Sequence, residues 1–199
     1  MDAREHWRAV YEARRPQQLS WHQPLPEPSL QALERLGIGP EASLIDVGGG
    51  ASALAAELAA RGWGDLTVLD IAASAIGGPG EGDGAIRWIE ADILDWRPDR
   101  AYDVWHDRAL FHFLVDPGDR AIYVDALKDA TQAGSVVIIA AFALDGPETC
   151  SGLPVRRYDA EGLAAELGAA FAPVEAWTQA HVTPWGATQS FQWGAFSRR

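Results

Sequence analysis

Cysteine, long apolar runs and clustered positive charge are all scarce in this chain of 199 residues. The single cysteine, Cys150, cannot form an internal disulfide, and this thiol and five scattered histidines show no spacing typical of a zinc site. The longest purely apolar run, residues 136–144, is far shorter than the roughly 20 residues that a membrane helix needs. We therefore expect no metal site and no membrane span. Because the first residues contain no apolar signal segment, we also expect a cytoplasmic protein.

The charge balance of the chain is strongly negative, with a formal net charge of -12 and an isoelectric point near 4.7. Proteins that bind a phosphate backbone do so with clustered lysines and arginines, whose charge releases counterions from the nucleic acid. Here the only paired cations are residues 14–15, 156–157 and 198–199. We therefore predict that neither DNA nor RNA is a partner.

Apolar runs that favour strands alternate with helical patterns along most of the chain. The predicted strands are residues 43–47, 66–70, 86–90, 101–106, 136–141, 171–180 and 187–196. The predicted helices are residues 6–14, 29–36, 51–61, 119–131 and 159–167, with Ser29 as the N-cap of the second. This alternation predicts an α/β fold with a Rossmann-like, doubly wound sheet of seven mostly parallel strands. The last two strands are expected to form an antiparallel hairpin at its edge.

The length of the chain and its 48% apolar residues suffice for one sizeable core. We predict a single domain over residues 1–199, with an N-terminal lid segment at residues 1–28 and the Rossmann-like core at residues 29–199. Residues 77–84 contain five glycines and a proline, which predicts a mobile loop in place of most of the second core helix.

A glycine-rich turn follows the first predicted strand, at residues 45–52. Glycines at a strand-to-helix turn let the backbone approach a ligand at the helix N-terminus. Asp70 ends the second strand, where a carboxylate can accept both hydroxyls of a ribose. Residues 48–53 also satisfy the GxGxxG/A pattern of a nicotinamide dinucleotide site, so an NAD-binding oxidoreductase stays open as an alternative.

Three features favour a methyltransferase over the dinucleotide site: Asp46 precedes the glycines, about forty residues precede the first strand, and Asp92 follows the third. With the glycine turn and Asp70, these residues resemble the class I S-adenosylmethionine-dependent methyltransferases, of the small bacterial type related to the thiopurine and tellurite-resistance enzymes. The matching motifs span residues 44–141. Ser52 stands where the family often has a third glycine.

The resemblance implies S-adenosylmethionine as the cofactor, and it implies a role for each motif residue. The methionine part would lie at Asp46, Gly48, Gly49 and Gly50; the ribose at Asp70; and the adenine at Ile71, Asp92 and Ile93. The pattern Trp7-x-x-x-Tyr11, followed by Trp21, resembles an aromatic entry segment, so Tyr11 and Trp21 are expected to cover the cofactor. The alternative is that Trp7 and Tyr11 only pack onto the sheet.

The fourth motif, residues 102–114, lies where the family's acceptor face begins. We predict that Asp107 contacts the cofactor near its sulfonium, or else caps a helix that starts at Arg108. Methyl transfer depends mainly on alignment, and a base is needed only where the acceptor must lose a proton. Asp107 and His106 are the first candidates for that base. Of the further histidines, His112 is more typical of a packed core side chain, and His181 is a candidate near the C-terminus.

The acceptor pocket is expected, by analogy with the family, near residues 150–154 and the turn at residues 183–186. Cys150, Trp185 and Phe191 would then border it, although a lone cysteine is more often inert, and ordinary hairpin packing explains the two aromatic residues about as well. We predict methyl transfer to a small molecule. The alternatives are a protein lysine methyltransferase, whose basic substrate an acidic surface would attract, and the NAD-binding oxidoreductase.

Overall fold

The computed structural model describes residues 2–73 and 86–199. The glycine-rich residues 77–84, for which a mobile loop is predicted, lie outside this part of the chain. The described strands are β1 Leu44–Val47, β2 Leu66–Asp70, β3 Ile86–Glu90, β4 Tyr102–Arg108, β5 Thr131–Phe142, β6 Thr149–Cys150, β7 Leu153–Pro154, β8 Phe171–Val182 and β9 Thr188–Arg198. The described helices are α1 Ala3–Ala13, α2 Glu27–Arg35, α3 Leu54–Ala60, α4 Pro117–Asp129 and α5 Ala160–Leu167, with short 3-10 turns at Pro16–Gln18 and Phe111–Phe113.

Among the described residues, seven strands form one sheet in the order β3-β2-β1-β4-β5-β9-β8. The pairs from β3 to β5 are parallel, whereas β9 runs antiparallel to both β5 and β8. The strand order reverses between β1 and β4, which are neighbours although β2 and β3 separate them in the chain. This arrangement confirms the predicted fold class, including the hairpin of β8 and β9 at the sheet's edge.

Each face of the sheet has its own apolar core. One core contains α2 and α3 side chains such as Leu33 and Leu58, packed against Leu44, Val104 and Trp193 of the strands. The other lies beneath α4 and α5 and includes the large side chains Trp105, Tyr123 and Phe196. In mostly parallel sheets with helices on both faces, ligands bind in a crevice at the carboxyl ends of the central strands.

Two predicted boundaries need correction because they decide which side chains reach the site. The second helix begins at Glu27, not after an N-cap at Ser29, since Pro28 suits the first helical turn, where its missing N–H costs nothing. Strand β4 continues to Arg108, so no helix starts there as the capping alternative required. Ser29 therefore lies inside a helix and Asp107 inside a strand.

The N-terminal segment, residues 2–28, contains α1 and the buried Leu19. No side chain of α1 is buried, although Asp2 caps its N-terminus through the Arg4 amide. In the described ranges, no helix has both the length and the apolar character needed to cross a membrane.

Candidate active site

A cavity of about 240 Å³ opens at the carboxyl ends of the central strands and is covered on one side by the N-terminal segment. The sequence-predicted residues that line it are Tyr11, Trp21, Asp46, Gly48, Gly49, Asp70, Ile71, Asp92, Ile93 and His106. Two predicted residues, Gly50 and Asp107, do not line it. The fold thus brings nearly all of the proposed binding residues, drawn from five separate segments, to one cavity.

The glycine turn shapes the floor of this cavity because side chains would not fit there. Gly48 has φ of 70°, and a Cβ at this position would lie 2.6 Å from Cδ1 of Leu110. A Cβ on Gly49 would lie 2.6 Å from Oδ2 of Asp46. At Gly50, which is outside the lining, a Cβ would collide with the Tyr11 hydroxyl. The turn is therefore a cradle that only glycine leaves open.

Asp70 ends β2 with its carboxylate at the cavity and only 5% of its surface exposed. Its Oδ1 accepts a hydrogen bond from the Ala72 amide at 2.9 Å, and its Oδ2 accepts a long one, 3.5 Å, from the Tyr11 hydroxyl. Burial raises the pKa of Asp70 to about 6, and it also raises the pKa of the Tyr11 phenol. Tyr11 thus contacts the carboxylate that the resemblance assigns to the ribose.

Asp92 follows β3 at the same edge of the sheet. Its Oδ1 accepts from the Leu94 amide at 3.0 Å, and its backbone carbonyl accepts from the Trp96 amide, so a tight turn fixes the residue. The neighbouring Ile93 is buried beside it. Asp92 remains partly exposed to the cavity, which leaves its other oxygen available to a ligand.

Asp46 and His106 form a buried pair at the back of the cavity. They are register partners on the neighbouring strands β1 and β4, and their side chains meet with Nδ1 of His106 2.7 Å from Oδ1 of Asp46. The other ring nitrogen, Nε2, lies 3.0 Å from Oγ of Ser29 on α2. Both nitrogens are engaged, so His106 has no free nitrogen with which to take a proton from an acceptor. The geometry does not support its predicted role as a general base.

Asp107 points to the opposite face of the sheet, towards α4, because side chains alternate along β4. It is 0% exposed, and its carboxylate accepts from the Tyr123 hydroxyl at 2.7 Å and from the Leu110 and Phe111 amides at 3.0 and 3.3 Å. The structure therefore favours a capping role over the predicted contact with the sulfonium. What Asp107 caps is the turn at Ala109, whose φ is 75°, rather than a helix at Arg108.

The two further histidines are also engaged in packing. His112 is 0% exposed, its Nδ1 accepts from the Phe142 amide at 3.3 Å, and burial lowers its pKa to about 3. Nε2 of His181 lies 2.6 Å from the Ser20 carbonyl, and burial lowers the pKa of this side chain as well. His112 is thus the neutral core histidine that its apolar neighbours indicated, and His181 fastens the N-terminal segment to β8.

Comparisons with known proteins identify the fold. No family model matches the chain, and a search of curated proteins found no significant match. Among solved structures, one from work on the conversion of a disulfide bond into a thioacetal group during echinomycin biosynthesis matches with a TM-score of 0.78. Its sequence identity is 22%, over 99% of this chain and 92% of that one.

N-methyltransferase NodS from Bradyrhizobium japonicum WM9, in complex with S-adenosylhomocysteine, matches with a TM-score of 0.71 at 17% identity over 99% of both chains. The 1,6-didemethyltoxoflavin-N1-methyltransferase of Burkholderia thailandensis, with bound 1,6-didemethyltoxoflavin and S-adenosylhomocysteine, matches with a TM-score of 0.66. Its identity is 16%, over 98% of this chain and 84% of that one. The chain has the fold of a class I methyltransferase.

On this methyltransferase fold, Arg108 is a charged cavity residue to which the sequence analysis assigned no role. The side chain lines the cavity and donates from Nη1 to the Trp21 carbonyl at 3.1 Å, and its guanidinium carbon lies 5.3 Å from the Phe191 ring centre. Burial lowers its pKa to about 10. Within the described ranges it forms no ion pair. The signal in the sequence that could have identified Arg108 as a site residue is its position at the carboxyl end of a central strand.

The remaining wall of the cavity is largely apolar, with Trp7, Phe113, Cys150 and Leu153 among its residues. Trp7 packs edge-on against Phe113, with ring centres 5.0 Å apart. The expected acceptor-pocket residue Trp185 is 60% exposed and does not line the cavity, because the turn between β8 and β9 lies away from it. Phe191 packs beneath Arg108, and the wall is built from β6 and β7 through Cys150 and Leu153.

The capping role of Asp107 predicts a coupled loss of stability. Tyr123→Phe removes a donor from the buried carboxylate and leaves the indole N–H of Trp105, which donates to the Tyr123 hydroxyl at 2.9 Å, without its partner. We expect it to lower the free energy of unfolding by about 1–3 kcal/mol, measured by urea denaturation at pH 7. In an Asp107→Asn background the same change should cost less, because no buried charge is left uncompensated. Equal losses of stability in both backgrounds would show that the Tyr123 hydroxyl does not stabilise the Asp107 carboxylate.

Proposed function

We propose that this protein transfers the methyl group of S-adenosylmethionine to a small-molecule acceptor. One observation carries the proposal: the carboxylates Asp46, Asp70 and Asp92, at the ends of three neighbouring strands, line the same cavity as a glycine turn that a Cβ would fill. The resemblance in sequence and the shared fold support the same cofactor independently.

The donor set of the cavity fits each part of this cofactor. Asp46, behind the glycine turn, offers an anion to the α-ammonium group, and Asp70 offers a carboxylate to the ribose hydroxyls. Asp92 offers an acceptor to the adenine amino group, with Ile71 and Ile93 on the cavity wall for the ring. When bound, the cofactor supplies an electrophilic methyl group on a sulfonium.

The chain's own contribution to the reaction is to align the two reactants and to exclude water. Trp7, Trp21 and Phe113 form an aromatic wall that covers the cavity on the side of the N-terminal segment. Since His106, His112 and His181 each have a ring nitrogen held by a hydrogen bond and none is free at the cavity, we propose that transfer uses no histidine base. An acceptor whose attacking atom has a lone pair available near neutral pH, and therefore needs no base, fits such a site.

Arg108 favours a small, anionic or hydrogen-bond-accepting molecule over a lysine side chain. The half-buried guanidinium of Arg108, which forms no ion pair within the described ranges, repels an ammonium group and can donate a charge-assisted hydrogen bond to a carboxylate. We therefore propose that the acceptor presents a carboxylate or a comparable acceptor group to Arg108, which makes a protein lysine the less favoured substrate.

Calorimetric titration tests the cofactor. We expect micromolar binding of S-adenosylmethionine and S-adenosylhomocysteine and none of NADH. Gly48→Ala, which introduces a Cβ at 2.6 Å from Leu110, should weaken binding by roughly tenfold or more. Gly37→Ala is the matched control, because Gly37 has nearly the same φ, 68°, and nothing within 4 Å of the added Cβ. Gly37→Ala should lower the free energy of unfolding and leave cofactor binding unchanged. Binding of NADH alone would move the oxidoreductase alternative to first place.

The raised pKa of Asp70 predicts a pH dependence of cofactor binding. The ribose hydroxyls donate to the ionised carboxylate, so binding favours deprotonation, and affinity should be constant above pH 7 and fall as the pH drops through 6. The limiting slope is about tenfold in affinity per pH unit, measured with S-adenosylhomocysteine. Asp70→Asn should bind weakly and lose this dependence. If the variant keeps the same slope, another group titrates.

The role of Arg108 can be measured with pairs of acceptors that differ only in charge. Small aromatic thiols, amines and phenols, each supplied as a carboxylate and as the neutral amide, are incubated with labelled S-adenosylmethionine. Arg108→Met should lower kcat/KM for the carboxylate members by about tenfold or more, with little change for the amides. Arg35→Met is the control, since Arg35 lies over Trp177, 3.9 Å from the ring centre and away from the cavity. Equal losses for both members would exclude Arg108 as the anion contact.

A further inference from the structure

Asp46 presents its two carboxylate oxygens to different partners. Oδ1 is held by Nδ1 of His106, whereas no hydrogen bond from the described residues reaches Oδ2, which lies next to Gly49 in the cavity floor. Asp46 is only 2% exposed and lines the cavity, so a ligand can reach its carboxylate only from the cavity. Whatever binds there meets a single free oxygen in a fixed position.

The hydrogen-bond pattern of His106 shows which ring nitrogen carries a proton. A carboxylate only accepts, so Nδ1 of His106 carries the proton of the 2.7 Å contact. Nε2 of the neutral ring is an acceptor, and the Ser29 hydroxyl at 3.0 Å is the donor available to it. In this arrangement both ring nitrogens have a hydrogen-bond partner, and the ring carries no positive charge.

We propose that His106 and Ser29 are positioning residues that hold the Asp46 carboxylate with Oδ2 directed to the α-ammonium group of the cofactor, and that His106 is neutral in this arrangement. This inference rests on the proposed cofactor. A charged imidazolium in place of the neutral ring would cancel the charge of Asp46 and weaken the attraction for an ammonium. The neutral tautomer, in which Ser29 donates to Nε2, therefore preserves the site's affinity for a cation.

The fold explains how three residues distant in sequence form this chain of contacts. Register pairing of Asp46 with His106 puts both side chains on the face covered by α2, and the early start of α2 at Glu27 brings Ser29 over the ring. Other charged groups act on the pair from neighbouring strands: Asp70 on β2, and Asp107 and Arg108 on β4. Ser29 is only 1% exposed, so the Ser-His-Asp order here does not make a nucleophile.

Binding of two ligands separates positioning of Asp46 from general damage to the fold. S-adenosylhomocysteine carries the α-ammonium group, whereas 5′-methylthioadenosine has the same nucleoside without the amino acid. We expect His106→Phe to weaken S-adenosylhomocysteine by roughly tenfold or more and to leave 5′-methylthioadenosine unchanged, in calorimetric titrations of each variant. His106→Asn, whose amide nitrogen can occupy the place of Nδ1, should recover most of the affinity. Equal losses for both ligands would overturn the proposal.

A spectroscopic measurement tests the tautomer without any ligand. Long-range ¹H–¹⁵N correlation NMR of the protein labelled in histidine should show His106 neutral, with the proton on Nδ1. Ser29→Ala should perturb the Nε2 signal and weaken S-adenosylhomocysteine less than His106→Phe does. An Nε2–H tautomer or an imidazolium at pH 7 would contradict the inference. If the wild-type protein binds neither nucleoside, the proposed function fails, and the NMR result still decides the state of His106.

Discussion

The reversal of strand order between β1 and β4 is the constraint on which the site depends. The chain leaves β1 towards α3 on one face of the sheet and leaves β4 towards α4 on the other, so the two connections separate and a crevice opens between them. The glycine turn after β1 and the turn at Ala109 after β4 both line this crevice. Because both turns follow central strands that are buried on both faces, their backbone positions are fixed by the core.

Burial in this crevice perturbs its charged groups in opposite directions, and that follows from one cause. Removal from water disfavours the charged form, so the pKa of Asp70 rises and that of Arg108 falls. Asp46 acts on both groups: its negative charge raises the pKa of Asp70 further and favours the charged form of Arg108. The cavity therefore has carboxylates and a guanidinium at separate positions. This arrangement suits two ligands bound together, of which one is cationic and the other electron-rich.

The parts that could be predicted from sequence are those with local signals. Apolar runs place the strands, and glycines or acids at the strand ends mark the cavity wall, so Asp46, Gly48, Asp70 and Asp92 were found without the structure. For Asp107 the sequence leaves two roles open, a contact near the sulfonium and a cap, because the direction of a side chain on a strand depends on where the strand ends, and β4 runs two residues beyond its predicted end at His106. One further residue of strand is enough to direct Asp107 into the core.

The residues that were missed depend on partners far away in the chain. Arg108 donates a hydrogen bond to the carbonyl of Trp21, 87 residues earlier, and Ser29 meets His106 across 77 residues. Neither pairing has a periodic signal, since each depends on how the N-terminal segment and α2 lie over the sheet. A sequence of this kind therefore indicates which strand ends bear functional residues more readily than it indicates which segments pack over them.

The N-terminal segment attaches its helix α1 through residues of the site, and this links the position of that helix to what the cavity holds. Its α1 has no buried side chain, and it reaches the core through Tyr11 at Asp70, Trp7 at Phe113 and an exposed ion pair of Arg4 with Glu90. Exposed ion pairs contribute little, so the first two contacts dominate, and both involve cavity residues. A ligand between these partners contacts the strands and the segment at once. Its binding free energy and the docking of the segment are therefore one coupled equilibrium, in which each stabilises the other by the same amount.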